Sequence, residues 1–516
     1  MPLFLIGFMA AGKTSVGRVL AARSGRRFVD LDDAISALGE PAPALVARDE
    51  PEFRRREAHA LAQLTLEDGP GAVIATGGGA AAHGDNLARM RAAGLVIALG
   101  VDVAEAQQRA HGGTPRPLLA NAEALARRRA PIYRRAHAVV DTMGKTVEQV
   151  ADEVAHVERA YARAPGATIV ALGERSYPVT VAAALDGDTI RAALDAPTQI
   201  AVITDANVAA HHAAPLGDHV LVLPPGEASK SFAEYERLCG ELIARGLDRS
   251  SAIVALGGGV VGDLAGFVAA TLFRGIPIVQ LPTTLVAMTD AAIGGKTAID
   301  APAGKNLVGA FWQPRLVACA TDTLRTLPAR ERRAGFGELW KYALLDGRDL
   351  WRAVATCAPW AAAGEGAEPP YELPDVIDRA IAYKAAIVGR DERERTGHRA
   401  LLNLGHTVGH ALESATGMLH GEAVALGLVA ACRVSAEVAG AAPELAAEVA
   451  AALAASGLAA DLDPYLTDDI LVRVGVDKKR IGRKLRFIVI RDVGRCEPLD
   501  ITVDELRRIL RPVRGT

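Results

Sequence analysis

Cysteine is scarce and scattered, with five in 516 residues and none in a Cys-x-x-Cys pair. That argues against a disulfide framework and against a cysteine-ligated zinc site. Charge of one sign is lacking as well. Lysine and arginine total 58 and aspartate and glutamate 61, a net charge of −3, so no basic excess is available to hold nucleic acid. No apolar run reaches the ~20 residues needed to span a bilayer. No internal repeat is visible. The first apolar run, "MPLFLIGF", has no basic segment or cleavage site ahead of it, and the expected compartment is the cytoplasm. What remains is a half-apolar globular composition in a chain too long for one ordinary core, so at least two domains are expected.

The first part alternates short apolar runs ("LFLIGF", "AVIAT", "LVIALG") with helix-like segments, the pattern of a parallel α/β sheet. It closes on the amphipathic "TVEQVADEVAHVERAYARA" and a Pro/Gly step, "APGAT", which predicts a first domain over 1–160 and a linker over 161–167. The pattern then restarts with "TIVALGERSYPVTVAAAL", read as a hairpin. Strands follow at "QIAVITD", "HVLVLP", "AIVALGGG" and "IPIVQLP", giving a second α/β domain over 168–321. Beyond residue 322 strand signals fade, and Ala/Leu/Glu patterns predict a mostly helical domain over 322–516. "PWAAAGEGAEPP" (359–370) reads as a surface loop.

"GFMAAGKTS" fits G-x-x-x-x-G-K-[ST] through Gly7, Gly12, Lys13 and Thr14, between an apparent strand and a helix. There, backbone N–H groups and a helix N-terminus face phosphates, Lys13 neutralises charge and Thr14 binds Mg²⁺. Ala10 stands at a loop position where glycine is usual. In "FVDLDD", Asp30 and Asp32 fall on one side of a strand end, suiting one to magnesium and the other to a substrate hydroxyl. A helix cap by Asp32 or Asp33 is the plainer alternative. "EFRRREAHAL" supplies Arg54, "ATGGGAA" supplies Gly77, Gly78 and Gly79, "GGTPRPLL" supplies Arg116 and "RRRAPIYRRA" supplies Arg129. In this order after a P-loop, the segments together resemble shikimate kinase over residues 1 to 155. The resemblance implies that Asp32, Arg54, Gly78 and Arg129 hold shikimate, that Asp32 takes the reacting hydroxyl, and that Arg116 lies in a lid over ATP. Guanidinium clamps and one acceptor suit a small anionic triol, and phosphoryl transfer needs positioning and charge neutralisation above all.

In the second part, "ALGGGVVGDLAGFVAA" reads as strand, glycine turn and helix, with Gly257, Gly258 and Gly259 admitting a pyrophosphate to the backbone and Val260 and Asp263 following. Asp205, Glu227, Lys230, Thr283 and Thr284 would line the same cleft at strand ends, and the implied cofactor is NAD⁺. Polar groups then accumulate: Asp290, Lys296, Lys305, Asn306, Glu338, Lys341, Lys384, Arg399, Asn403, His406, His410, His420, Lys478 and Lys479. An apolar helical interior would not carry so many without cost. His406 and His410 are four apart, on one helix face, as metal ligands, acid/base groups or tolerated polar residues would be.

"GGGVVGD", "GGKTA", "LLNLGHTVGH" and "LHGEA" together resemble 3-dehydroquinate synthase over nearly all of residues 168 to 516. The resemblance implies Zn²⁺ or Co²⁺ on Glu338, His406 and His420. His410 is then no ligand but faces the substrate phosphate with Lys296, Asn306 and one of Lys478 or Lys479. Lys384, Arg399 and Asn403 would contact the substrate's carboxylate and hydroxyls, beside Asp290, with Lys341 a catalytic group. Lys305 would join the NAD⁺ contacts. Arg274 in "LFRGIP" would reach a neighbouring subunit's site, which implies a homodimer. "PGE" replaces the family's usual Asp-Gly-Glu. The implied chemistry is a redox-neutral cyclisation of a heptulosonate 7-phosphate, with NAD⁺ restored in each turnover. The expected whole is thus an α/β fusion of two enzymes acting on small molecules at non-consecutive steps. The alternative is a polyol dehydrogenase or other sugar-phosphate cyclase behind a kinase-like domain that only regulates.

Overall fold

A computed structural model describes residues 1–37, 39–66, 71–110, 121–212, 217–474, 480–481 and 484–511. The chain divides into two compact units, Met1–Thr180 with Ala385–Glu392, and Val181–Lys384 with Arg393–Thr516.

In the first unit, β1 (Leu3–Gly7), β2 (Phe28–Asp30), β3 (Val73–Ala75), β4 (Leu95–Gly100) and β5 (Ala138–Asp141) form a sheet in the order β2-β3-β1-β4-β5. Every pairing is parallel. A parallel sheet is covered on both faces, so its strands read as continuous apolar runs. Leu3 and Leu5 of β1 pack with Val16, Leu20 and Val154 on one side. Phe4 and Ile6 pack with Leu45, Phe53 and Leu61 on the other. Strand order reverses around β1, and the crevice outside the carboxyl ends there is where open parallel sheets bind ligands. Helix Val147–Arg163 closes the sheet, with Thr146 and Gln149 forming a capping box and Val150, Val154, Val157 and Tyr161 buried. β6 (Thr168–Val170) and β7 (Tyr177–Ala182) pair antiparallel, the expected hairpin.

The second unit holds β8 (Ile200–Asp205), β9 (His219–Leu223), β10 (Ala252–Gly257) and β11 (Ile278–Pro282), the four strands expected there. A hairpin of β12 (Lys296–Ala301) and β13 (Gly304–Phe311) follows, then β14 (Leu316–Ala320). The parallel part runs β14-β11-β10-β8-β9. The hairpin and β14 were not read from sequence. Most of β13 is exposed, so it carries no apolar alternation, and the short run of β14 has no period of its own. Helices Ala329–Asp346, Arg348–Ala362, His406–Thr416, His420–Val438 and Pro443–Ala455 dominate the rest. Two departures stand out. Helix Arg348–Ala362 runs through Pro359 and buries Trp360, so the expected loop starts only at Ala363. An antiparallel sheet of β15 (Arg480–Ile481), β16 (Lys484–Asp492) and β17 (Arg495–Thr502) lies in the region expected to be helical.

Helix Ala329–Asp346 is buried on nearly every side, as an apolar helix would be, yet it carries Arg332, Glu338 and Lys341 inside. Each is a desolvation cost that packing alone does not explain.

Candidate active sites

The first crevice is built on the loop between β1 and helix Lys13–Ser24. Lys13 Nζ donates to the carbonyl oxygens of Gly7 (3.0 Å) and Phe8 (2.9 Å), holding its ammonium over the loop. Ala10 is left-handed at φ 58°, which costs a non-glycine residue ~1 kcal/mol. Its methyl packs against the cluster of Phe8, Ala106 and Ala122, a partial compensation. Thr14 Oγ1 donates to Asp30 Oδ2 at 2.7 Å, so the two magnesium candidates are side by side. Asp30 also caps helix Leu31–Ser36, accepting from the Asp32 amide at 3.1 Å. The cap is therefore Asp30 rather than Asp32 or Asp33, and Asp32 sits in the first helical turn, not at a strand end.

Around Asp32, the glycine run lies flat between two carboxylates and two arginines. A Cβ on Gly77 would stand 2.8 Å from both Asp32 Oδ1 and Glu57 Oε1, and one on Gly79 would strike the Arg54 guanidinium. Arg54 Nη1 donates to Glu57 Oε2 at 2.7 Å. Arg129 Nη1 (3.0 Å) and Tyr133 Oη (2.5 Å) both donate to the Gly78 carbonyl. Glu57 is fully buried, and its Oε1 has no hydrogen-bond partner among the described residues. Burial raises the Glu57 carboxyl, with Arg54 opposing. Asp32 is raised by burial and by Asp30, against Lys13 and Arg54, although it still reaches solvent, which limits the effect. Arg116 lies outside the described residues.

The second unit contains a cleft of about 1270 Å³. At one end, Gly258 caps helix Gly259–Thr271 at the end of β10. A Cβ on Gly258 would lie 3.3 Å from Thr284 Cγ2, and one on Gly259 3.3 Å from Ala291 Cβ, so the bare backbone forms a cradle at a helix N-terminus. Such a cradle fits a dinucleotide's pyrophosphate. Lys230, almost buried, reaches Asp263 Oδ2 (2.8 Å) and Asn306 Oδ1 (2.5 Å) beside it. Asp205, Glu227, Val260, Thr283, Thr284, Lys296 and Lys305 line the same cleft. Asp205 spends one oxygen capping its own short helix, through Asn207 and Val208.

At the other end, donor atoms of Glu338, His406 and His420 lie within 4.8 Å of one another. Glu338 Oε1 is 3.5 Å from His406 Nε2 and 3.4 Å from His420 Nε2. Each ring is oriented by its other nitrogen, Nδ1 of His406 on the Leu404 carbonyl and Nδ1 of His420 on Glu413 Oε2, both at 3.0 Å. That is the outer-shell pattern of histidine ligands. Glu338 is fully buried, neither oxygen accepts a hydrogen bond, and Lys341 pairs with it. Burial would raise its carboxyl, but Lys341 and the His420 ring bring it down to about 2. His406 is held well below the usual imidazole value by burial and Lys341, so it stays neutral with a free lone pair. Burial opposes a proton on His420, yet Glu338 and Glu413 on either side raise it to about 10. A cation between these three donors, proton or metal, is what the arrangement calls for, and one carboxylate with two imidazoles and an open side suits a catalytic divalent ion.

Close helix contacts set the spacing. A Cβ on Gly421, next to His420, would fall 1.7 Å from the Ala334 carbonyl oxygen, and one on Gly337, next to Glu338, 2.0 Å from that of Gly421.

Between the two ends lie the groups for an anionic substrate. Asp290, in a π-helical turn, accepts from Lys384 Nζ at 2.8 Å and from Tyr342 Oη at 3.0 Å. Burial lowers Lys384 to about 8, with Arg399 and Lys341 adding to it and Asp290 opposing. Asp290 is held well below the carboxylate range by Lys384 and Lys341 despite its burial. Lys296 (2.5 Å) and Arg399 (3.6 Å) share Glu394 Oε1. Asn403 and His410 complete the wall. Arg274 is exposed, in left-handed backbone at φ 71°, and does not line the cleft. Lys478 and Lys479 lie outside the described residues.

Sequence reasoning passed over Glu57, Tyr133, Glu394 and Glu413. Glu57 is three residues from Arg54, Tyr133 four from Arg129 and Glu413 three from His410, helical spacings that could have flagged them. Glu394 sits in a loop with φ 56°, for which the sequence holds no signal.

Comparison with known proteins follows the same division. Residues 9–158 match the shikimate kinase family, 220–334 the N-terminal part of 3-dehydroquinate synthase, and 335–480 its C-terminal part. A 3-dehydroquinate synthase of Caulobacter vibrioides is 43% identical over 346 residues, covering 63% of this chain and 92% of that protein. One of Opitutus terrae is 44% identical over 356 residues, covering 66% and 97%. Among solved structures, a 2-deoxy-scyllo-inosose synthase complexed with carbaglucose-6-phosphate, NAD⁺ and Co²⁺ is 26% identical, with a TM-score of 0.58 over 66% of this chain and 97% of that one. The chain belongs to the 3-dehydroquinate synthase family, and carries a shikimate kinase family domain ahead of it.

Proposed function

We propose that the chain phosphorylates shikimate with ATP in its first unit, and in its second cyclises 3-deoxy-D-arabino-heptulosonate 7-phosphate to 3-dehydroquinate and phosphate. The observation that carries this is the second cleft itself. A glycine cradle, a Glu-His-His triad with Glu338 and His406 buried, and a cluster of lysines and arginine share one cavity, a combination that serves hydride transfer on a phosphorylated acid.

In the kinase, Lys13 neutralises the transferred phosphoryl group, and Thr14 and Asp30 hold Mg²⁺. Gly7, Gly12 and Arg116 serve ATP. Arg54 and Arg129 clamp the shikimate carboxylate beside Gly78. Asp32 accepts the proton of the hydroxyl that displaces ADP, and its raised carboxyl suits a group that must hold that proton briefly.

In the synthase, Glu338, His406 and His420 would hold Zn²⁺ or Co²⁺, which would supply Lewis acidity at the substrate hydroxyls. NAD⁺ in this cleft would supply a hydride acceptor. Lys384, Arg399 and Asn403 orient the carboxylate end, with Asp290 holding the Lys384 ammonium in place. Lys296, Asn306, His410 and one of Lys478 or Lys479 hold the phosphate end. Lys341 keeps Glu338 ionised inside the core. Arg274, exposed and outside the lining of its own cleft, suits a role in the site of a second copy, so a homodimer belongs to this reading, as does a cytoplasmic location. The working division is 1–160 for the kinase, 161–167 for the linker, 168–321 for the NAD⁺ domain and 322–516 for the metal and substrate domain.

Purified chain assayed separately with each substrate tests the reading. Shikimate-dependent ADP formation is expected, together with phosphate release from the heptulosonate without accumulation of NADH absorbance. NADH rising in proportion to product would identify a dehydrogenase instead.

A further inference from the structure

The carboxylate of Glu413 touches both ends of the second cleft. Its Oε2 is 3.0 Å from His420 Nδ1, and its Oε1 accepts from Lys305 Nζ at 2.9 Å. His420 turns its other nitrogen to Glu338 at 3.4 Å. Lys305, on β13, also faces Glu227 Oε1 at 3.8 Å. Glu227 lies 3.6 Å from Lys230, which in turn holds Asp263 at 2.8 Å on the helix behind the glycine cradle. A continuous run of charged contacts therefore joins the metal triad to the dinucleotide cradle, with Glu413 at its junction.

We propose that Glu413 is a positioning residue that couples metal retention to dinucleotide binding, an inference that rests on the metal and NAD⁺ assignments above. Glu413 lies in helix His406–Thr416, seven residues beyond His406 and so on the same face, and one rigid element places both a ligand and the bridge. Its first effect is orientation. An Nδ1–H donated to Oε2 leaves Nε2 of His420 as the lone-pair nitrogen facing Glu338. Its second effect comes from sharing one negative charge between two donors. A divalent ion on His420 makes the ring N–H a stronger donor and draws the carboxylate toward it. Lys305, about half exposed, is then held less tightly and turns more readily to the cofactor's phosphates. Coupling of binding energies is reciprocal, so a dinucleotide engaged by Lys305 leaves Glu413 to His420 and tightens the hold on the metal.

The donor atoms of His410, Glu413 and His420 also lie within 4.8 Å of one another, so the test must separate a bridge from a direct ligand. Zinc-loaded full-length chain is challenged with a chromogenic chelator, with and without saturating NAD⁺. The wild-type chain should lose zinc about fivefold more slowly with NAD⁺, at the low end of ordinary couplings. Glu413→Gln should lose it roughly 10- to 100-fold faster, equally with and without NAD⁺. Lys305→Met leaves the carboxylate to His420 permanently, so it should lose zinc at the slower rate of NAD⁺-saturated wild type, with and without NAD⁺. A response that survives in Lys305→Met overturns the bridge, as does Glu413→Gln releasing zinc at the wild-type rate. A Lys305→Met chain that sheds zinc as fast as Glu413→Gln overturns it as well. Wild-type chain that takes up no zinc, or Glu338→Gln that retains it fully, would refute the metal assignment itself; wild-type zinc loss indifferent to NAD⁺ would refute only the coupling.

Discussion

Lys384 is the group whose ionisation should be visible in the synthase's pH profile. Its side chain is 5% exposed, and burial lowers its ammonium to about 8, although Asp290 lies 2.8 Å away. The profile of kcat/KM reports groups of the free enzyme. With a pKa of about 8, roughly nine-tenths of Lys384 is charged at pH 7 and about one-tenth at pH 9. If only the ammonium takes the substrate carboxylate, kcat/KM should fall about tenfold between those values. Stability of the substrate-free protein should move the other way. The folded value lies below the ordinary 10.5, so between about 8 and 10.5 the unfolded chain binds more protons than the folded one. Stability therefore rises with pH across that window, and below it the buried charge costs roughly 3 kcal/mol. The assays are initial rates of phosphate release from about pH 6.5 to 10 in steps of about 0.5, beside urea unfolding at the same pH values. Lys384→Arg, charged throughout, should lose the fall in kcat/KM whatever its absolute rate. A wild-type kcat/KM that stays flat to pH 9.5, or an equal fall in Lys384→Arg, would refute the reasoning; those limits lie about 1.5 units past the ammonium's midpoint.

Three further outcomes are expected. Lys13→Ala should abolish shikimate phosphorylation and leave the synthase within about twofold, because distant sites rarely couple by more than ~0.5 kcal/mol; loss of both activities in a folded variant would contradict this. His406→Ala should lose metal and synthase activity together, whereas His410→Ala should keep about one metal ion per chain and slow turnover by roughly 10²–10⁴. Elemental analysis beside turnover decides between them, and equal metal loss would make the two histidines a ligand pair. Gly421→Ala should cost ~1–3 kcal/mol in thermal or urea unfolding and reduce bound metal, since its methyl meets backbone; unchanged metal content would show that the helices can separate harmlessly.

The candidate groups were legible because they sit in linear motifs whose backbone context is itself readable. A strand that ends in a glycine turn and a helix marks a backbone cradle at a helix N-terminus in both halves of the chain. Pairings across the fold were not legible. Nothing in the order of residues says that Glu413 shares its two oxygens between His420 and Lys305, or that Glu394 stands between Lys296 and Arg399, because these partners meet only through tertiary packing. The four-residue spacing of His406 and His410 places their rings 5.2 Å apart, but the ring that shares Glu338 with His406 is His420, from the next helix. Among the strands, those buried on both faces were visible as apolar runs. β13 was not, since most of its side chains face solvent and leave no period to detect.

The contact of Gly337 and Gly421 with facing backbone has a consequence for which ion the cleft accepts. Main chain against main chain has no rotamer to adjust and little compressibility, so the helices bearing Glu338 and His420 behave as the fixed jaws of a gauge. An ion that wants longer bonds or more donors cannot open them. It can be met only through side-chain torsions of Glu338, His406 and His420, and both rings are already tethered, one through the Leu404 carbonyl and the other through Glu413. If the triad holds the ion, selection by size would rest in part on two positions that carry no side chain at all.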